Sequence, residues 1–226
     1  MIVAVDGPAG SGKGTVTKIL ANKLKLMNLD TGATYRCVAL TSLRKNIDIK
    51  EEEKIIAEID NLNIEFKEEN GQDKVFLNGD DVSKEIRGKE VTGIVSQISG
   101  IIGVRLKLVD LQRKIAEGKD VILEGRDIGT YVFPDADIKF YLDATPEVRA
   151  ERRYKENIEK GIECTFEEVL ENINFRDKND MSKPIGALKK ADDAFVVDSS
   201  DMSIDEVVNK MEEIIINSDS WRRERC

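Results

Sequence analysis

The amino-acid sequence predicts an α/β fold in which a parallel sheet is covered by helices on both faces. Three observations carry this. Short apolar runs recur at Ile2-Val3-Ala4-Val5, Val121-Ile122-Leu123, Ile138-Lys139-Phe140-Tyr141-Leu142 and Ala194-Phe195-Val196-Val197, several of them rich in β-branched residues, as buried parallel strands are. Helical patterns lie between these runs, and strands separated by helices imply a parallel sheet with both faces covered. The 226 residues, 40% hydrophobic and 35% charged, suit a soluble globular protein that is one large domain or a domain with inserts, with a substantial core.

In chain order, the strand Ile2 to Asp6 runs into a glycine-rich turn, then a helix marked by Val16, Ile19, Leu20 and Leu24. Leu26 to Asp30 reads as a short second strand, and Thr31 as the cap of a helix reaching about Leu43. The charged segment from Ile47 to Asp60 reads as helical, with Ile55, Ile56 and Ile59 inward. The texture then changes. Ile64 and Phe66, and after an Asn70-Gly71 turn Val75 and Leu77, alternate with other residues as an antiparallel hairpin does. This defines an insert of about residues 60–90, either a small mobile subdomain over a substrate or a plain excursion of the chain. Val91 to Gly100 and Val104 to Glu117 are helical, with Gly118 as the stop. Thr145-Pro146 opens a helix with a cap and an N1 proline. Thr165-x-x-Glu168 and Ser203-x-x-Glu206 are capping boxes. The tail, Trp221 to Cys226, carries no readable chemistry and is either flexible or docked through Trp221.

Composition excludes several functions. A net charge of -9 argues against a general nucleic-acid surface, so an anionic substrate must meet a local arginine cluster. Cys37, Cys164 and Cys226 are odd in number and widely spaced, which fits reduced cytosolic thiols better than a disulfide framework or a metal site. The first apolar run is too short for a signal peptide, and no stretch is long enough to span a membrane. Histidine is absent, leaving carboxylates or the substrate itself for any proton transfer.

The stretch with the most chemistry is Gly7-Pro8-Ala9-Gly10-Ser11-Gly12-Lys13-Gly14-Thr15. A glycine-rich turn between a strand and a helix points backbone N–H groups and a helix N-terminus at a phosphate. Lys13 can reach the outer phosphates of a nucleoside triphosphate, and Thr15 offers a hydroxyl near the magnesium. A turn that only connects a strand to a helix would not need this spacing of Gly7, Gly12 and Lys13. Ligands of doubly wound folds sit beyond the carboxyl ends of the strands. Tyr35-Arg36, Glu124-Gly125-Arg126-Asp127 and Asp198-Ser199-Ser200 all begin there. Arg126 then points into the cleft, unless it and Asp127 pair with each other or cap a helix, and Glu124 is placed as a second carboxylate for magnesium, directly or through water. Arg149, Arg152 and Arg153 share a helix face, either around an anion or neutralised by Glu147, Glu151 and Glu156.

Read together, G-P-A-G-S-G-K-G-T, L-D-T-G-A-T-Y-R, S-Q-I-S-G-I-I-G-V-R, E-G-R-D-I-G-T, R-A-E-R-R and R-D-K-N-D resemble the bacterial cytidylate kinases over nearly the whole chain. The hairpin insert resembles the enlarged monophosphate-binding insert of that family. The resemblance implies a P-loop NTPase fold forming one kinase domain over residues 1–226, with a helical lid at about residues 148–188. It implies phosphoryl transfer from ATP to CMP or dCMP with Mg2+, in the cytoplasm, by a monomer that needs neither nucleic acid nor membrane. Gly7 to Thr15 would hold ATP, and Thr15 and Glu124 the metal. The catalytic set would be Lys13, Arg36, Arg126, Asp127, Arg152 and Arg153. Arg36 and Arg126 would hold the acceptor phosphate, and Arg152 and Arg153 would close from the lid. Asp127 lies near the acceptor but is not needed as a general base, because a phosphate acceptor is already mostly ionised. Thr31, Tyr35, Ser96, Arg105, Arg176, Asp180 and Lys183 would complete the acceptor site, with Ser96 and Arg105 reading the cytosine edge.

Two positions depart from the family pattern. Lys183 stands where arginine is usual, and Gly186-Ala187-Leu188 where S-P-L is usual. An ammonium lacks the planar fork of a guanidinium. The rival functions are a P-loop kinase with another acceptor and a nucleotide-dependent regulatory ATPase. No N-K-x-D guanine-reading signature is present, and a pure binding module would not need a second arginine-lined site.

Overall fold

The computed structural model describes residues 1–69 and 72–225. The chain opens with β1 (Ile2–Asp6), α1 (Lys13–Leu24), β2 (Met27–Asp30), α2 (Thr31–Arg44) and α3 (Glu52–Ile59). It continues through β3 (Ile64–Glu69), β4 (Gln72–Leu77), β5 (Asp80–Asp81), a 3-10 turn (Glu85–Arg87), α4 (Lys89–Ile98) and α5 (Ile102–Ala116). The remainder is β6 (Val121–Gly125), a π-type turn (Ile128–Val132), β7 (Ile138–Asp143), α6 (Pro146–Glu159), α7 (Phe166–Met181), β8 (Phe195–Asp198), α8 (Ile204–Asn217) and α9 (Asp219–Arg225). Two compact units result, Met1–Met27 with Lys119–Cys226, and Asn28–Gly118.

The first unit holds four parallel strands in the order β6-β1-β7-β8, with Met27, the first residue of β2, on the β6 side. β2 joins at Met27, whose N–H donates to the Asp120 carbonyl at 2.8 Å. In register, Asp6 lies opposite Gly125 on one side and Tyr141 on the other, and Asp143 lies opposite Asp198. The carboxyl ends of β1, β6, β7 and β8 therefore share one edge. The apolar runs explain themselves as central strands. Val3, Val5, Ile122, Phe140, Leu142 and Val197 are buried against Val16 and Leu20 of α1 and Val207, Met211 and Ile215 of α8. Both capping boxes form, Thr165 with Glu168 and Ser203 with Glu206, and Thr145 caps α6 ahead of Pro146. The tail is helical as far as Arg225, and Trp221 packs on the same core.

The second unit is built on α2, which packs with α3, α4, α5 and the antiparallel sheet β3-β4-β5 around Val38, Ile55, Val75, Leu77, Ile86, Ile98 and Leu108. The hairpin pairs Ile64 with Leu77 through Glu69 with Gln72; its Asn70-Gly71 turn lies outside the described residues, as does Cys226. Cys37 is a buried free thiol and Cys164 a half-buried one.

Two element starts differ from the sequence reading. Asp30, not Thr31, caps α2, because its extended backbone lets the carboxylate accept from the Ala33 N–H at 3.1 Å. The helix expected from Ile47 begins only at Glu52, since Asn46 is left-handed (φ 51) and Asp48 folds onto the Lys50 N–H. Beyond Arg126 the chain closes a π-type turn, with the Tyr131 and Val132 N–H groups donating to the Asp127 carbonyl.

Asp6 explains why that turn is held. Its two carboxylate oxygens accept from the Ile128 and Gly129 N–H groups, each at 2.7 Å, so the loops after β1 and β6 are tied by one side chain. Burial pushes the Asp6 carboxyl up to about 6 even though both amides pull it down. Native protein therefore keeps a proton that the unfolded chain releases between about pH 4 and 6, and stability falls as the pH rises through that window. We expect urea unfolding of wild type to lose up to about 3 kcal/mol relative to Asp6→Asn between pH 4 and 7. A difference that stays flat over this range would contradict the assignment.

Candidate active site

Local geometry shows why the loop after β1 needs its glycines. A Cβ on Gly7 would sit 2.1 Å from the Leu142 carbonyl oxygen, so only glycine lets the loop lie against the end of β7. Gly12 is left-handed (φ 92) and starts α1 with no side-chain cap, which leaves the first-turn N–H groups to an anion. Lys13 is 4% exposed. Its Nζ donates to the Pro8 carbonyl at 2.7 Å and to Ser11 Oγ at 3.3 Å. Burial brings the Lys13 ammonium down to about 7; Arg126 pushes the same way, while Glu124, Asp6 and Asp180 oppose it. Gly14 faces Glu124, whose Oε1 would lie 2.7 Å from a Cβ there. A side chain at Gly14 would displace the end of the Glu124 carboxylate.

The charged residues of the first unit form a second layer. Arg126 does not pair with Asp127. Its Nε donates to Asp180 Oδ2 at 2.9 Å, and Lys183 takes the other oxygen, Oδ1, at 3.0 Å. Burial would raise the Asp180 carboxyl, but Arg126 and Lys183 hold it below its ordinary value. Asp127 itself is buried.

The three arginines of α6 lie in three different environments. Arg149 is buried and donates to the Ala144 carbonyl at 2.9 Å, the Ala9 carbonyl at 3.0 Å and Asp177 Oδ2 at 2.6 Å. It thus clamps the glycine loop to the start of α6 and to α7. Arg152 donates to Ser199, reaching the hydroxyl at 3.1 Å and the carbonyl at 2.6 Å. Arg153, one turn beyond Arg149, is exposed enough to pair with Glu156 at 3.2 Å. Arg176 is on the exposed side of α7.

In the second unit, α2 presents Thr31, Tyr35 and Arg36. The Arg36 NH1 group donates to the Ile86 carbonyl at 3.2 Å and Thr92 Oγ1 at 3.0 Å. Arg105 of α5 is 5% exposed, with its guanidinium carbon 5.7 Å from the centre of the Tyr35 ring, a cation–π contact. Ser96 is exposed on α4. Lys13, Glu124, Arg126, Asp180 and Lys183 thus gather in one unit, and Tyr35 and Arg105 meet in the other. Sequence reasoning missed Asp6, the clamp made by Arg149 and the buried pair Gln112 and Thr34. The available signals were an aspartate ending a buried strand and a glutamine within an apolar helical stripe.

The cytidylate kinase family profile matches residues 3–217. A cytidylate kinase from Caldicellulosiruptor saccharolyticus is 46% identical over 212 residues, 94% of this chain and 94% of that protein. One from Lactobacillus johnsonii is 47% identical over 215 residues, 95% of this chain and 94% of the other. Among solved structures, an uncharacterized protein from Eubacterium ventriosum aligns with a TM-score of 0.55, covering 96% of this chain and 99% of its own, at 11% identity, a likeness of fold alone. With the loop geometry and the sheet order, these matches place the chain in the cytidylate kinase family.

Proposed function

We propose that this chain transfers the γ-phosphoryl group of ATP to CMP, and to dCMP, giving the diphosphate and ADP. The observation that carries the reading is the family match over residues 3–217; the buried Lys13 supports it physically. Phosphoryl transfer asks little covalent help of a protein. It needs donor and acceptor in line, their negative charge balanced and water excluded. In this reading the first-turn N–H groups of α1 and Lys13 hold the triphosphate, and Arg36 and Arg126 hold the acceptor phosphate. Arg126 would exchange Asp180 for that phosphate, freeing Asp180 for the sugar. Thr31, Tyr35, Ser96 and Arg105 form the nucleoside side of the site, with Asp127, Arg176 and Lys183 beside the acceptor.

Magnesium fits this arrangement. The Glu124 carboxylate stands over Gly14, one residue from the exposed Thr15 hydroxyl. Among the described residues no group of three or more His, Cys, Asp or Glu side chains could hold a metal alone. A magnesium ion held by Thr15 and Glu124 would therefore complete its shell with phosphate oxygens and water, as this ion commonly does. Bound there, it would neutralise charge on the transferring group.

Within one kinase domain, about residues 60–90 serve as the monophosphate-binding insert and about 148–188 as the lid. α6 and α7 share a small core, Ala150, Val169 and Ile173 with Tyr154, Phe166 and Leu170, and closure would turn about the anchor that Arg149 makes to the Ala9 carbonyl. Arg153 would leave Glu156 and, with Arg152, face the phosphates on closure. No helix among the described residues is long and apolar enough to cross a membrane. We place the enzyme in the cytoplasm as a monomer acting on free nucleotides.

Cytosine and uracil differ where an amino donor and a bare ring nitrogen become a carbonyl and an N–H. Uracil would set its N–H against the Arg105 guanidinium, and each buried unpaired polar group costs about 1–3 kcal/mol. A coupled ADP-release assay should give kcat/KM for CMP at least about a hundredfold above that for UMP. Equal use of UMP or AMP would end the cytidylate reading and leave a kinase with another acceptor. Arg36→Ala and Arg126→Ala should each lower kcat/KM for CMP by about a hundredfold or more. ATP affinity titrated without CMP should stay within about threefold in both variants. A matching collapse of ATP affinity would put these arginines on the donor instead.

A further inference from the structure

The stripe that α5 turns toward α2 in the second unit is not wholly apolar. Leu108 is fully buried in it, Arg105 precedes it by three residues, and Gln112, 1% exposed, follows by four. Gln112 Nε2 donates to Thr34 Oγ1 at 2.9 Å, and the Thr34 hydroxyl donates to the Thr31 carbonyl at 2.7 Å. Two helical turns away on the same face of α5, Arg105 meets the ring of Tyr35, the residue next to Thr34. The core around them, with Ala33, Val38, Val104 and Leu108, is apolar. Apolar packing is non-directional, and such cores keep stability more readily than they keep a single arrangement. A hydrogen bond fails within a few tenths of an ångström. A glutamine buried this deeply is costly unless it is satisfied, and packing alone would be served by methionine.

We infer that Gln112 and Thr34 are positioning residues for base selection: their hydrogen bond fixes the rotation of α5 against α2 and so sets Arg105 relative to Tyr35 and Thr31. This rests on the reading of the chain as a CMP kinase with Arg105 at the base.

The test compares wild type with Thr34→Val, Thr34→Ser and the double variant Thr34→Val, Gln112→Met. It measures kcat/KM for CMP and UMP, KM for ATP, and Tm. Thr34→Val and the double variant should lower the CMP-over-UMP ratio at least about tenfold through a higher KM for CMP. KM for ATP should stay within about twofold. Thr34→Ser keeps the hydroxyl and should keep the wild-type ratio. The double variant removes both polar partners together, so its Tm should stay near wild type, which separates positioning from stability. An unchanged ratio in Thr34→Val and in the double variant overturns the inference and leaves the kinase reading standing. If the double variant does not fold, Thr34→Val against Thr34→Ser decides in the same way. A wild-type enzyme indifferent between CMP and UMP removes the reading, and the inference with it.

Discussion

The Lys13 ammonium is held between the Pro8 carbonyl and the Ser11 hydroxyl with almost no contact with water. A charge in that position loses most of its hydration, and the carboxylates of Asp6, Glu124 and Asp180 do not make up the loss, because Arg126 pushes against them. The ammonium therefore sits near its titration point at neutral pH. The group that would relieve it is a polyanion delivered to the N-terminus of α1. A phosphate there meets an N–H array and a cation whose hydration has already been removed, so little reorganisation is left for the reaction itself. The cost of keeping the site ready falls on the protein without ligand.

The surrounding structure keeps that loop from relaxing. Gly7 lies against the end of β7, Arg149 binds the Ala9 carbonyl from α6, and Ser199 donates to the Asp143 carbonyl from the loop after β8. Asp6 pins the segment that follows Arg126. Gly7, Asp6 and Ser199 stand at or just beyond the carboxyl ends of strands in the same sheet, and Arg149 in the first turn of the helix that follows β7. Strand order thus becomes site geometry: β1 lies centrally, with β6 and β7 as its neighbours and β8 next to β7. The same contacts explain why Arg149, which looks like a surface arginine beside Glu147 and Glu151, is among the most buried charged residues in the chain.

What could be read from the sequence follows from how local each signal is. The strands, the capping boxes at Thr165 and Ser203 and the glycine loop depend on residues within a few positions of each other, and each formed where its pattern lay. The pairing of Arg126 with Asp180 joins residues 54 positions apart, and no spacing rule gives it. The three arginines of α6 share a face by arithmetic, yet a face says nothing of depth. Arg149 lies against Ala9 and Gly10 of the glycine loop and is buried, while Arg153, a turn further on, pairs with Glu156 and is not. Asp30 displaced Thr31 as the cap because two neighbouring residues could both serve, and backbone dihedrals decide between them. Gln112 escaped notice because one polar residue in an apolar stripe resembles a position at the edge of the core.

Burial holds the Lys13 ammonium well below its ordinary range, and a phosphate at the N-terminus of α1 should restore its proton. The most direct measurement of this is the number of protons taken up when ATP with magnesium binds. This can be obtained by calorimetry in buffers of differing ionisation enthalpy across pH 6 to 8.5. With burial pulling Lys13 down to about 7 in the free protein and phosphate favouring its charged form, uptake should be small at pH 6 and grow toward about one proton per ATP above pH 8. ATP affinity should weaken as the pH rises above 7, and Lys13→Met should abolish the uptake. Binding that exchanges no proton between pH 7 and 8.5 would contradict the account.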